Sequence, residues 1–396
     1  MKFKSSLEIM TKALQKVIPA LPRKSTLPIL EHFYMALKGD KLQIIATDQE
    51  ITIQTNAEVE GEIDGEILVP GRKFFDIVKA LGTNADIDFT VNPDNYEITL
   101  KSKNPVGRYT LKGIDSEEYL KIPELLESSR PKLDDNGKPA KDFLRPTAFL
   151  TKEQIHFLTS KTSYAISIDE FRPAMNGVLF QFRADHINAV ATDSYRLAKA
   201  TIRIDEANFP EDLNIIIPSR AVDVLKKIDS DLIMSFIETS SKRTHIRIDY
   251  NNTVFISKLI IENFPPYESV IPESYIFELE FNQSEIISAI NRVSLMTSEV
   301  FQHINISIEN DTFTLMTQDE ESGANAMETI NCKYNGDLFE LSFNAKYIKE
   351  AIEHLANITE DNIILMRFNE ENRPVIIKPK IENDDLIMLI MPIRIK

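Results

Sequence analysis

Three threonine–acid steps recur along the chain and are the first residues to test for chemistry: Thr47-Asp48, Thr192-Asp193 and Thr317-Gln318-Asp319. A carboxylate beside a hydroxyl could act as a general base or a metal ligand, but either role needs partners close by. Each acid instead stands alone in its own third of the chain, so no carboxylate pair is implied. The six histidines (His32, His156, His186, His245, His303 and His354) are scattered, without His-Glu-x-x-His or paired-cysteine spacing. No glycine-rich phosphate loop is present among the 11 glycines. Cys332 lies in a strand-like stretch and reads as a buried small residue rather than a nucleophile. Asp319-Glu320-Glu321 reads as a solvated loop rather than a cation site. No catalytic residue, metal or cofactor is expected, and the chain is not expected to be an enzyme.

The acid steps gain meaning as markers of a repeat. A turn residue (Asp40, Asp185, Asn310) stands seven positions before each threonine. A helix start follows each threonine by 23, 26 and 26 residues, at Pro70-Gly71-Arg72-Lys73-Phe74-Phe75, Pro218-Ser219-Arg220-Ala221-Val222 and Phe343-Asn344-Ala345-Lys346-Tyr347. The copies themselves lie 148 residues (Pro70 to Pro218) and 125 residues (Pro218 to Phe343) apart, a period that exceeds solenoid and propeller units. It implies a whole domain present three times, which suits a chain of 396 residues.

The elements that must carry these motifs follow one grammar. Each copy opens with an amphipathic helix, over 7–17, 151–165 and 283–295; Leu7, Met10, Leu14 and Val17 show the three-and-four spacing. Strands follow with period-two alternation, clearest at Ile304-Asn305-Ile306-Ser307-Ile308, which predicts antiparallel sheets with one face buried. A second helix is predicted over 72–81, 220–228 and 345–355, and further hairpins close each unit. The class is α+β, with two helices per repeat laid against antiparallel sheets. Residues 117–146 include Ser128-Ser129-Arg130-Pro131 and Asp134-Asp135-Asn136-Gly137-Lys138-Pro139 and read as an exposed linker or loop. The expected domains are 1–123, 148–272 and 273–396, with 124–147 as a charged, proline-bearing insertion.

Charge is unevenly spread. The whole chain carries −16, which argues against a general polyanion binder. Several helices oppose that balance: Lys2, Lys4, Lys12 and Lys16 outweigh Glu8, and Arg72, Lys73 and Lys79 outweigh Asp76. Arg220, Lys226 and Lys227 likewise outweigh Asp223. Two readings stay open at this point: one positive surface on an otherwise repelling body, or lysines on ordinary solvated helix faces.

A family resemblance decides between them. Met1-Lys2-Phe3, Thr26-Leu27-Pro28-Ile29-Leu30, Arg72-Lys73-Phe74-Phe75-Asp76, Met175-Asn176-Gly177, Ala191-Thr192-Asp193-Ser194-Tyr195-Arg196-Leu197-Ala198, Ser257-Lys258-Leu259 and Met391-Pro392-Ile393-Arg394 together resemble the bacterial DNA polymerase III beta subunits, the sliding clamps. The likeness runs from Met1 to Arg394 with its landmarks in the family's order. It implies three clamp domains per protomer and a head-to-tail homodimer closed into a ring around double-stranded DNA, contacted without sequence preference. It also implies replication partners (the replicative polymerase, the clamp loader and other proteins with a clamp-binding motif) and a processivity role without catalysis.

The resemblance also implies residues. For DNA these are Arg23, Lys24, Arg72, Lys73 and Arg220. For a hydrophobic peptide pocket they are Met175, Thr192, Ser194, Tyr195, Arg196, Leu197, Pro265, Val270, Leu389, Met391, Pro392, Ile393 and Arg394. For the dimer interface they are Tyr109 and Leu111 against Leu295 and Met296 of the partner. The chain departs from a common family pattern at Ser194-Tyr195, where Gly-His is frequent, and at Ser269, where an arginine stands in some members. One cysteine excludes an internal disulfide, the first residues lack a signal-peptide stretch, and the longest apolar run, 386–392, is too short for a membrane span. A cytoplasmic protein without membrane association is expected.

Overall fold

The computed structural model describes residues 1–82, 85–119, 147–204, 212–239, 242–298, 302–319, 321–334, 336–356, 358, 361–382 and 384–393. They form two compact units, Met1–Lys152 with Ile228–Leu259, and Glu153–Lys227 with Ile260–Lys396.

Among the described residues six α-helices carry the spacing read from the sequence: α1 (Leu7–Val17), α2 (Gly71–Leu81), α3 (Lys152–Thr162), α4 (Ser219–Leu225), α5 (Gln283–Ser294) and α6 (Ala345–Glu353). Their starts are set by local chemistry. Ser6 caps α1 by accepting the Ile9 N–H, and Asn282 and Asn344 do the same for the first turns of α5 and α6. Proline precedes α2 and α4, its fixed φ setting the entry. The predicted stripes are buried: Leu7, Met10, Leu14 and Val17 on α1, and Ile286, Ala289, Ile290 and Val293 on α5. Gly71 opens α2 because a Cβ there would lie 2.6 Å from Leu21 Cδ2, which packs against the helix start.

Among the described residues all strand pairing is antiparallel, as period-two alternation suggests; His303–Glu309 alternates between exposed and more buried residues along its length. The first unit holds a five-stranded sheet, in the order Glu60–Ile63, Lys2–Ser6, Asp86–Val91, Glu97–Lys103, Val106–Lys112. It also holds an eight-stranded sheet, in the order Thr147–Leu150, Leu232–Thr239, Lys242–Tyr250, Thr253–Lys258, Ile51–Glu58, Lys41–Thr47, His32–Lys38, Gly65–Pro70. The second unit holds a nine-stranded sheet in the order Leu213–Pro218, Gly177–Phe182, His186–Thr192, Arg196–Arg203, Leu386–Ile390, Val375–Pro379, Ile363–Phe368, Phe277–Asn282, Lys333–Tyr334. Its four-stranded sheet runs Asn325–Asn331, Thr312–Gln318, His303–Glu309, Phe339–Asn344. In the first unit α1 packs on α2 and on strand Ile51–Glu58; in the second α5 packs on α6.

One expectation changes at the first junction. The exposed segment does not begin at Glu117: Ser116–Glu118 form a 3₁₀ turn, and Tyr119 is buried with its ring stacked 5.6 Å from Tyr34. An aromatic ring that finds an apolar neighbour overrides the polar composition around it. Thr147 is buried and opens the strand Thr147–Leu150. The rest of the expected insertion lies outside the described residues.

Candidate functional site

The site grows from one strand pair in the second unit. Arg196–Arg203 runs antiparallel to Leu386–Ile390, with Arg196 opposite Ile390 and Leu197 opposite Leu389. The turn before the first of these strands is fixed by its own side chains. Thr192 Oγ1 donates to the Arg196 carbonyl at 2.7 Å and accepts the Ser194 N–H at 3.2 Å. Asp193 Oδ1 accepts the N–H groups of Tyr195 and Arg196, each at 3.0 Å. This carboxylate therefore shapes a turn, a common use of aspartate. The turn holds Ser194 at φ +79°, a region that favours glycine. Serine stands there with its hydroxyl tied down, accepting from Arg172 Nη1 at 2.8 Å and directed at Met175 Sδ at 3.7 Å.

Arg196 lies beneath this turn, only 7% exposed. Its Nε donates to Asp193 Oδ2 at 3.0 Å and Nη1 pairs with Glu350 of α6. The guanidinium sits 4.5 Å from the ring centre of Tyr347 and 5.2 Å from that of Tyr164, so a buried cation is held by two carboxylates and two aromatic faces. Tyr164 in turn stacks on His354 at 4.2 Å. Burial lowers the pKa of His354, which favours its neutral ring against Tyr164, and burial raises the Tyr164 phenol.

Above that scaffold the surface is apolar. Leu197 and Leu389 form a buried floor together with Leu179, Val190, Ile376 and Ile387. Ala174, Phe264, Ile271 and Tyr275 pack half-buried around it. The rim is more open: Tyr195 is 63% exposed and stacks on Tyr347 at 6.3 Å, while Val270 and Met391 are also exposed. Pro265, Pro392 and Ile393 are half-buried. The last stretch is tied to the turn and to a neighbouring strand, since the Met391 N–H donates to the Tyr195 carbonyl at 2.9 Å and the Ile393 N–H to the Ser342 carbonyl at 2.7 Å. Ser269, at the departure noted in the sequence, spends its hydroxyl on the Pro266 carbonyl at 2.8 Å. Gly177 is required just beyond Met175 because a Cβ there would overlap the Ile217 carbonyl.

The structure thus brings Met175, Thr192, Ser194, Tyr195, Arg196, Leu197, Leu389 and Met391 together; Pro265 and Val270 flank Tyr267 of the same buried cluster in sequence, Pro392 and Ile393 continue from Met391, and Arg394 lies outside the described residues. Within that set the roles divide. Thr192 and Arg196 are buried and hold the turn, whereas Tyr195, Val270 and Met391 present apolar surface to solvent. Sequence reasoning missed Arg172, Tyr164, Tyr347 and Glu350. Only Tyr347 carried a local signal, standing one turn into the third repeat's helix start.

The other expected residues fall on two kinds of surface. Arg23, Lys24, Arg72 and Lys73 are exposed in the first unit, the last two in the opening turn of α2; Arg220 is exposed on α4. Tyr109 and Leu111 are half-buried on Val106–Lys112, the outer strand of the five-stranded sheet, where Val106 is also exposed. Leu295 is 78% exposed just past α5, beside Met296, and Met327 is exposed on the outer strand Asn325–Asn331. Cys332 is half-buried rather than buried, and burial pushes its thiol up to about 11. Among the described residues no cluster of three metal-ligating side chains occurs, and no helix is long and apolar enough to cross a membrane.

Comparison with known proteins covers nearly the whole chain. The DNA polymerase III beta subunit family matches in three parts: its N-terminal domain over residues 1–123, its central domain over 150–266 and its C-terminal domain over 268–394. The beta sliding clamp of Staphylococcus epidermidis is 27% identical over 407 residues, spanning all of this chain and 99% of that protein. Among solved structures, the Pseudomonas aeruginosa sliding clamp bound to griselimycin shares the fold with a TM-score of 0.86 at 23% identity, both chains covered in full. The Caulobacter crescentus beta sliding clamp, with polyethylene glycol at its putative beta-motif tethering region, does so with a TM-score of 0.85 at 22% identity, covering 100% of this chain and 99% of that one. The three-domain clamp fold of mixed helices and antiparallel sheets, and the match along the whole chain, place this protein in the DNA polymerase III beta subunit family, the non-catalytic sliding clamps that give the replicative polymerase its processivity.

Proposed function

We propose that two copies of the chain join head to tail into a closed ring around duplex DNA and recruit replication proteins through the groove at Leu197 and Leu389. The groove carries the partner half of this reading. A rigid turn, an apolar floor and an aromatic and methionine rim suit a short peptide with hydrophobic anchors. Its occupants are the replicative polymerase, the clamp loader and other proteins with a clamp-binding motif. A related clamp of the same fold, that of Caulobacter, holds polyethylene glycol at a putative beta-motif tethering region, which supports the idea that such a surface accepts a linear ligand. Met175, Tyr195, Pro265, Val270, Met391, Pro392 and Ile393 touch the peptide, Ser194 shapes the rim, and Thr192 and Arg196 position it. Arg394 belongs to the same set by family likeness.

The ring half rests on unpaired edges. Among the described residues Val106–Lys112 ends the five-stranded sheet and Asn325–Asn331 ends the four-stranded one, each an edge strand that another strand could pair with. Exposed Leu295 and Met296 lie near the second edge as apolar surface that a partner's Tyr109 and Leu111 would cover. Arg23, Lys24, Arg72, Lys73 and Arg220 line the channel and attract phosphates without reading bases, so the ring slides and is retained by topology. Domains 1–123, 148–272 and 273–396, repeated in two chains, supply the six segments, and the protein works in the cytoplasm. Equilibrium sedimentation at micromolar concentration tests closure: the expected mass is twice the 45.2 kDa chain. A stable monomer would refute it.

A further inference from the structure

The groove's backbone is built a second time within the first unit, with different side chains, and the differences follow a pattern. Thr47 Oγ1 donates to the Ile51 carbonyl at 3.1 Å and accepts the Gln49 N–H at 3.1 Å. Asp48 Oδ1 accepts the N–H groups of Glu50 and Ile51 at 3.0 and 2.9 Å, and Gln49 holds φ +73°. The following strand, Ile51–Glu58, pairs antiparallel with Thr253–Lys258, and the Lys258 N–H donates to the Glu50 carbonyl at 2.9 Å. Each of these features repeats the arrangement at Thr192, Asp193, Ser194, Tyr195 and Met391.

The pairing registers fix which side chains correspond. Thr52 lies opposite Ile256 as Leu197 lies opposite Leu389. Tyr34 lies between Ile45 and Leu68 as Leu179 lies between Val190 and Ile216. Arg247 lies opposite Ile256 as Ile376 lies opposite Leu389. Three apolar floor positions of the groove are therefore polar in the copy, and two of them, Thr52 and Arg247, are bonded internally. Thr52 Oγ1 bonds Thr47 Oγ1 at 2.8 Å. Arg247, 2% exposed, makes two 2.7 Å bonds to Asp249. Tyr34 stacks on Tyr119, and burial with Glu66 nearby pushes its phenol pKa up. At the rim an ion pair of 2.8 Å, Lys258 to Glu50, stands where the groove has Met391 and Tyr195.

We infer that this strand junction of the first unit is a closed copy of the peptide groove, kept from taking an apolar anchor by Tyr34, Thr52 and Arg247. The inference rests on the groove reading above. A cleft of about 1030 Å³ runs over the same sheet face, lined by Tyr34, Gln54, Arg247, Asp249 and Val254 among others, so room alone does not exclude a ligand. Chemistry does. A leucine or phenylalanine seated there would strip water from the Lys258–Glu50 ion pair and from Asp249 without offering them a partner, and Tyr34 occupies volume that Leu179 leaves free.

Calorimetric titration with a clamp-binding peptide from the replicative polymerase tests it. The wild-type chain binds one peptide per chain, and Tyr34→Leu with Thr52→Leu adds a second equivalent within about tenfold of the first in affinity. Two equivalents in the wild type overturn the inference, as does a variant that melts like the wild type and still binds one. Should the variant unfold, a diazirine-bearing form of the peptide gives the answer on the wild-type chain. Labels near Leu197, Leu389 and Met391 alone support the closed copy, and a label on Tyr34 or Val254 overturns it. Absence of any saturable binding would remove the groove reading itself, and this inference with it.

Discussion

Ending the chain after Ile390 is the sharpest perturbation of the groove. It removes Met391, Pro392 and Ile393 together with two backbone hydrogen bonds, to the Tyr195 and Ser342 carbonyls. Each bond contributes about 0.5–1.5 kcal/mol, so stability falls by roughly 1–3 kcal/mol. Binding loses by two routes. Met391 is already 64% covered and 36% exposed, so a peptide can bury only about a third of it, worth about 0.5–1 kcal/mol at the usual value for a full side chain. The freed Tyr195 carbonyl and the missing Pro392 and Ile393 loosen the rim and add about 1 kcal/mol more on the same scale. The sum, about 1.5–2 kcal/mol, corresponds to roughly 10- to 30-fold in Kd. Fluorescence polarisation with a polymerase-derived peptide reads this directly, with sedimentation mass and urea midpoint reporting on the ring and the fold. A truncated chain whose Kd stays within twofold of the full chain would place the partner site elsewhere.

Four further outcomes follow from the same structure. Changing Arg72, Lys73 and Arg220 to Glu should reduce retention on DNA about equally for unrelated sequences, with a shallower salt dependence; loss confined to one base sequence would contradict sliding. Leu295→Asp with Met296→Asp should move the sedimentation mass toward 45.2 kDa, because a buried unpaired charge costs several kcal/mol. Arg196→Ala should lower the urea-unfolding stability by about 2–3 kcal/mol, below the value for a fully buried pair because Glu350 keeps solvent access, with Arg196→Lys intermediate. With its pKa raised to about 11, the Cys332 thiol is almost wholly neutral at pH 8, so native labelling by a disulfide reagent should run about 10²-fold slower than labelling in urea.

What the sequence disclosed was local. Helix starts were legible because Pro70, Pro218 and Asn344 act within a few residues, and the buried stripe of α1 appeared as a three-and-four spacing. The alternation of His303–Glu309 likewise showed in neighbouring residues. The groove was legible only through family likeness, since no local pattern pairs Arg196–Arg203 with Leu386–Ile390. Its supports were invisible for the same reason. Glu350, Tyr347 and Tyr164 meet Arg196 from distant helices, and only tertiary packing sets them around one guanidinium. Tyr119 was misread as exposed because its partner, Tyr34, lies far back in the chain. Conversely, the turn at Asp48 matches the one at Asp193 almost bond for bond. That motif therefore specifies a turn, and the side chains on neighbouring strands decide what binds there.

Retention on DNA of different topology tests the central claim most directly. The chain is loaded onto a nicked circular duplex with a clamp loader and ATP, freed of unbound protein by gel filtration, and the circle is then cut once. An encircling ring stays with the intact circle and leaves when free ends appear, whatever the base sequence, because the acidic body (−16 overall) holds DNA weakly except by enclosure. Equal retention on circular and linear DNA, or release from both, would contradict the account.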